Sequence, residues 1–85
     1  MDNNTQDDLV IPPFDSPAVY ELRVVGRLGL ESAAWFEDMT LEVDEASTPP
    51  QTIIRGVMRD QSALYGLISR IRDLGLTLQS VTRFD

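Results

Sequence analysis

Residues 19–28, VYELRVVGRL, alternate cleanly. Tyr20, Leu22, Val24, Gly26 and Leu28 fall on one side, and Val19, Glu21, Arg23, Val25 and Arg27 on the other. A period of two marks a strand with one buried face, here closed by Gly29. From Leu30 to Met39 the period changes. Apolar residues at 30, 33–36 and 39 predict a short helix of about two turns, with Trp35 and Phe36 as core anchors or as an aromatic wall for a ligand. Residues 40–45 alternate again, with Leu41 and Val43 inward. Residues 46–51, ASTPPQ, read as a proline-stiffened loop. Residues 52–58 form the next strand, with Ile54, Gly56 and Met58 on one face and Ile53, Arg55 and Val57 on the other.

The best-defined unit comes last. Asp60 is placed to cap a helix, since its carboxylate can accept backbone N–H bonds at the positive end of the dipole. Leu64, Leu67, Ile68, Ile71 and Leu74 then recur on one stripe. Arg70 and Arg72 occupy the last turns, and Gly75 suits the left-handed position after the helix. Residues 76–84 give a final strand, with Leu78, Ser80 and Phe84 on the Leu76 side and Val81 opposite.

This order predicts an α+β fold, a ferredoxin-like β-α-β-β-α-β sandwich with a short first helix. Both helices would cover one face of a four-stranded antiparallel sheet. Tyr20, Leu22, Val24, Leu41, Val43, Ile54, Met58, Leu76, Leu78 and Phe84 would meet the helices, with Gly26 and Gly56 allowing close approach. The other face is mixed. Glu21, Arg23, Arg27, Arg55, Thr77 and Gln79 share it with Val19, Val25, Ile53, Val57 and Val81. Such β-branched residues suit strands wherever they fall, but together they also make a dimer surface. In a two-fold pair ten of them would be covered, at about 1.5–3 kcal/mol each. The gross gain exceeds an association cost of about 4–15 kcal/mol. A homodimer or higher homo-oligomer through sheet faces or edges is the expectation.

Size reinforces that expectation. The chain has 85 residues, and residues 1–18 read as a flexible acidic N-terminal tail, leaving a domain over 19–85. A domain this small buries about 60% of its unfolded surface and usually needs a supplement. Cysteine and histidine are both absent, so neither a disulfide nor an ordinary zinc site supplies it. Within the tail, Leu9–Phe14 (LVIPPF) is more apolar than a spacer requires, and its prolines block central-strand pairing. Either it folds back, with Phe14 or Ile11 over a domain edge, or it is disordered, or it is an extended docking motif for a protein partner.

Charge narrows the partners. The net charge is −7; residues 1–48 carry eleven acids and two arginines, and residues 49–85 carry three acids and five arginines. So acidic a chain is repelled by phosphate backbones, which argues against nucleic acid. The arginines at 55, 59, 70, 72 and 83 are either matched to the acidic half or a second copy, or form an anion or acidic-partner site. No apolar run reaches the ~20 residues of a membrane span. The start of the chain lacks the pattern of a signal peptide, so a cytoplasmic protein is expected.

Catalytic chemistry is thin. Without His or Cys, triads, thiol nucleophiles and imidazole acid–base work are excluded. Neither Gly-rich phosphate-loop pattern occurs. No catalytic residue, metal ligand or cofactor is assigned.

The stretch from Tyr20 to Val81 resembles a group of small uncharacterised prokaryotic proteins. The shared residues are Val24, Gly26 and Leu28; Trp35-Phe36; Thr52, Ile54, Gly56, Met58, Asp60 and Gln61; then Ala63, Leu64, Gly66, Leu67, Ile68, Arg70, Ile71, Leu74, Gly75, Leu76, Leu78, Ser80 and Val81. That resemblance implies no activity. A weaker similarity links Val57–Val81 to ACT regulatory domains, which bind amino acids near the helix start. It implies a small-molecule site at Asp60, Gln61 and Ser62, although the Pro-Gly that follows the Asp in those domains is missing. Two expectations result: a non-catalytic interaction or accessory protein acting as a homodimer, and an ACT-like sensor of amino acids or anions. A cofactor-free enzyme of the dimeric α+β-barrel kind, using Tyr20, Trp35 or an arginine, is a third and weaker one.

Overall fold

The computed structural model describes residues 16–36 and 38–84. Its elements run β1 (Ala18–Val25), α1 (Leu30–Ala33) continued by a 3-10 turn (Ala34–Phe36), β2 (Thr40–Asp44), β3 (Gln51–Met58), α2 (Gln61–Asp73) and β4 (Leu78–Phe84). The strands form one sheet in the order β2-β3-β1-β4. Every neighbouring pair is antiparallel. This is an α+β fold. No helix among the described residues is long and apolar enough to cross a membrane. The tail motif Leu9–Phe14 lies outside the described residues, and Ala18, assigned to the tail from sequence, opens β1.

The core lies between the sheet and α2. Tyr20, Leu22 and Val24 from the central strand β1 meet Ile54 and Met58 from β3 and Leu64, Leu67, Ile68 and Ile71 from α2. The helix is built as its local residues dictate. The Asp60 carboxylate accepts the Ala63 N–H at 2.9 Å. At the other end the Gly75 N–H reaches the Arg72 carbonyl at 2.9 Å and the Leu76 N–H reaches the Ile71 carbonyl at 3.1 Å. With Gly75 at φ 76°, this is a Schellman stop, and Leu76 folds back onto the core.

Elsewhere the structure corrects the sequence expectations. β1 ends at Val25 rather than Leu28, because Gly26 turns left-handed at φ 93°. Its N–H donates to the Pro50 carbonyl at 2.6 Å, and its own carbonyl accepts the buried Thr52 hydroxyl at 2.7 Å. Gly56 gives room to Met39, whose Sδ a Cβ there would strike, rather than to a helix.

The first helix is a single α-turn plus a 3-10 turn, so it cannot bury two adjacent aromatics. Phe36 is fully buried, whereas Trp35 is 57% exposed. Val43, expected inward, is exposed on the edge strand β2, beyond the reach of so short a helix.

The largest correction is in β4. Arg23 faces Ser80 and Val24 faces Leu78, so Gln79 is an extra residue bulged out of the ladder. A bulge reverses the side-chain parity on one side of itself. Val81 therefore faces Leu22 and packs against the core, and Phe84 faces Val19 on the outer side. Both are the reverse of simple alternation from Leu76.

Candidate functional site: the helix-free sheet face

Residues directly opposed in an antiparallel ladder share a face. The β1 registers therefore order the outer side of the sheet into cross-strand rows. The first is apolar: Phe84, Val19 and Val57. The second is Thr82, Glu21, Arg55 and Thr40. The third is Ser80, Arg23, Ile53 and Glu42. Val25, Gln51 and Asp44 make the fourth.

The apolar row is open to solvent, with Val57 61% exposed and Phe84 43% exposed. With Pro17 and Ala18 it lines a shallow depression of about 430 Å³. The Arg55 guanidinium lies over the Phe84 ring, 5.3 Å from its centroid, a cation–π contact at the edge of this row.

Beside it runs a chain of paired charges. Arg55 Nη2 donates to Glu21 Oε1 at 2.5 Å, and Arg23 Nε donates to Glu21 Oε2 at 3.3 Å. Arg23 Nη1 then reaches Asp44 Oδ2 at 3.1 Å and Gln51 Oε1 at 3.3 Å. Asp44 also accepts the Ser47 hydroxyl and the Ala46 N–H. Near this end Arg27 grips Glu45 through two bonds, at 2.9 and 2.6 Å.

Two guanidiniums cover Glu21, which is only 8% exposed although no helix lies over it. The Arg55 hydrogen bond chiefly holds its carboxyl below the ordinary range, against the opposing pull of burial. The Arg23 bond does the same for Asp44, aided by Ser47 and Ala46, and Arg27 does so for Glu45. Carboxylates held ionised and fully paired are poor proton acceptors near neutrality. Among the described residues no group of three or more acidic, His or Cys side chains is placed to hold a metal ion.

The residues singled out from sequence separate here. Val19 and Val57 belong to the apolar row, and Val25 is half-buried three rows away. Ile53, 9% exposed, is already covered, and Val81 is on the opposite face. Phe84 was missed as an outer-face residue because only the β1–β4 register reveals the bulge. The Glu21–Arg55 and Arg23–Asp44 pairs were equally hidden, since they depend on which strands are neighbours. At the start of α2, Asp60 spends its carboxylate on the helix cap, while Ser62 is exposed.

On the helical side, Arg70 donates to the Trp35 carbonyl at 3.0 Å. Trp35 walls a small recess of about 250 Å³ with Gly66, Ser69, Arg70, Asp73 and Leu74. A more polar cleft of about 440 Å³ lies nearby, with Asp38, Met39, Arg59 and Arg70 in its lining.

A family described only as a domain of unknown function (DUF8691) matches residues 19–82. Searches of curated proteins and of solved structures found no significant match. The matched span begins at Val19 in the apolar row and ends two residues short of Phe84. It takes in the charge pairs described above and the whole of α2. The chain belongs to the DUF8691 family.

Proposed function

We propose that this protein is a non-catalytic interaction module of ferredoxin-like architecture that self-associates through its helix-free sheet face. The architectural part rests on strand order. Read from the other edge the sheet runs β4-β1-β3-β2, so the two β-α-β units interleave, as in that fold. The functional part rests on one observation: Val57 and Phe84 stand exposed beside Val19, next to a band in which Arg55, Glu21, Arg23 and Asp44 are already paired with one another. A second copy meets apolar surface there without meeting a field of like charge.

The strength of the contact also follows. Val81 is withdrawn and Ile53 is already covered, so Val19, Val25, Val57 and Phe84 remain to be buried in each copy. At roughly half the gain of complete burial each, they supply about 6–12 kcal/mol, comparable with the association cost of about 4–15. The dimer is therefore weak and concentration-dependent. The small-ligand reading at Asp60–Ser62 gains no such support, because the Asp60 carboxylate serves the cap.

Sedimentation over a concentration series is the test. The expected result is a monomer–dimer equilibrium that Val57→Glu abolishes without loss of fold. A wild-type chain that stays at monomer mass to millimolar concentration would remove the proposal.

A further inference from the structure

The depression at the apolar end of the outer face is lined by Pro17, Ala18, Val19, Val57 and Phe84. Two of these are the residues by which the N-terminal segment enters the domain. We infer that the depression is the seat of that segment's own apolar motif, Leu9–Phe14, with Phe14 as the anchoring side chain.

Connectivity is the first argument. Phe14 is three residues from Pro17, so it lies within about 10 Å of it whatever the path of the chain. Most of the domain surface is beyond that reach, since the described fold extends 32 Å along its longest axis. The chain bends at Ser16, just before β1.

Chemistry is the second. Pro12 and Pro13 carry no N–H and restrict φ to about −65°, so the motif is ill-suited to continue the sheet ladder and suited to an extended path over an apolar surface. Charge contributes less. Residues 1–17 contain Asp2, Asp7, Asp8 and Asp15 and no basic residue. Arg59 lies two residues beyond Val57; Arg55, over the Phe84 ring, is already paired with Glu21, and Arg83 stands opposite Tyr20 on the core-facing side.

Seated there, the segment covers surface that a second copy would use. It acts as a tethered competitor of self-association, a consequence that rests on the function proposed above, whereas the seating itself does not.

The test is NMR on the full chain with labelled methyl groups. Contacts from the Phe14 ring to the Val19 and Val57 methyls are expected, and both Phe14→Ser and Val57→Glu should abolish them. Phe14→Ser should also tighten self-association by about three- to tenfold, as expected for loss of a short tethered competitor. Unchanged Val19 and Val57 signals in Phe14→Ser would overturn the seating. So would contacts that appear only between differently labelled copies, since the occupant would then be another chain's segment. Sedimentation of the same samples separates the two proposals. Phe14 contacts in a chain that never dimerises support the seating and remove only the dimer. A dimer with no Phe14 contacts removes only the seating.

Discussion

Glu21 and Arg55 face each other across the β1–β3 ladder, and their side chains meet at 2.5 Å on the side of the sheet that carries no helix. Arg55 also spans to Phe84, so a single guanidinium joins the buried carboxylate to the exposed apolar row. Arg55→Ala should cost about 1–2 kcal/mol in urea unfolding, because Glu21 keeps only the longer bond from Arg23. Replacing both partners by leucine should cost less than Arg55→Ala alone. A double variant less stable than either single one would contradict this account of the pair.

Acid should act through the same residues. The folded-state pKa of Glu21 is lowered from its ordinary 4.5, and that of Asp44 from 3.8. The unfolded chain therefore binds these protons more readily than the native one. The stability they contribute is complete above the ordinary values and is lost as pH falls through the lowered ones. The melting temperature should be level from pH 7 to about 5 with respect to these groups and fall below about 4. In Glu21→Gln that acid-side fall should be shallower; an unaltered slope would show that Glu21 does not supply it.

The Gln79 bulge makes a paired prediction about two side chains close together in sequence. Val81→Ser should destabilise by about 1–3 kcal/mol, since it replaces a core-facing side chain by a polar one. Phe84→Ser should cost under about 1 kcal/mol, chiefly the stacking with Arg55, and should weaken self-association instead. The opposite order in urea unfolding would mean that β4 runs without the bulge.

How far the sequence is legible depends on where each determinant lies. In α2 the cap, the apolar stripe and the glycine stop are all local, and the helix runs Gln61–Asp73 between the Asp60 cap and the Gly75 stop as its residues require. The bulge has no local signature in Leu-Gln-Ser-Val. It exists only as the register of β4 against β1, and so the faces of Val81 and Phe84 could not be told from alternation. Trp35 and Phe36 fail for another reason. Their periodicity suits a helix of ten residues, and a one-turn helix leaves the first of them outside. The charge pairs needed the neighbour relation of β1 to β3, which alternation within single strands does not contain.

The α2 cap offers a control away from the sheet face. Asp60→Ala should cost about 1 kcal/mol while leaving self-association unchanged, because the carboxylate's described partner is the Ala63 N–H. A matched loss of dimer in sedimentation would place the helix start within the interface and count against the sheet face.

The most direct measurement is an isotope-filtered NMR experiment on a mixture of labelled and unlabelled copies, at a concentration where dimer is populated. The outer-face account predicts intermolecular contacts at the Val19 and Val57 methyls and at the Phe84 ring, with Val81 silent. Intermolecular contacts confined to Leu30 and Trp35 on the helical side would contradict it.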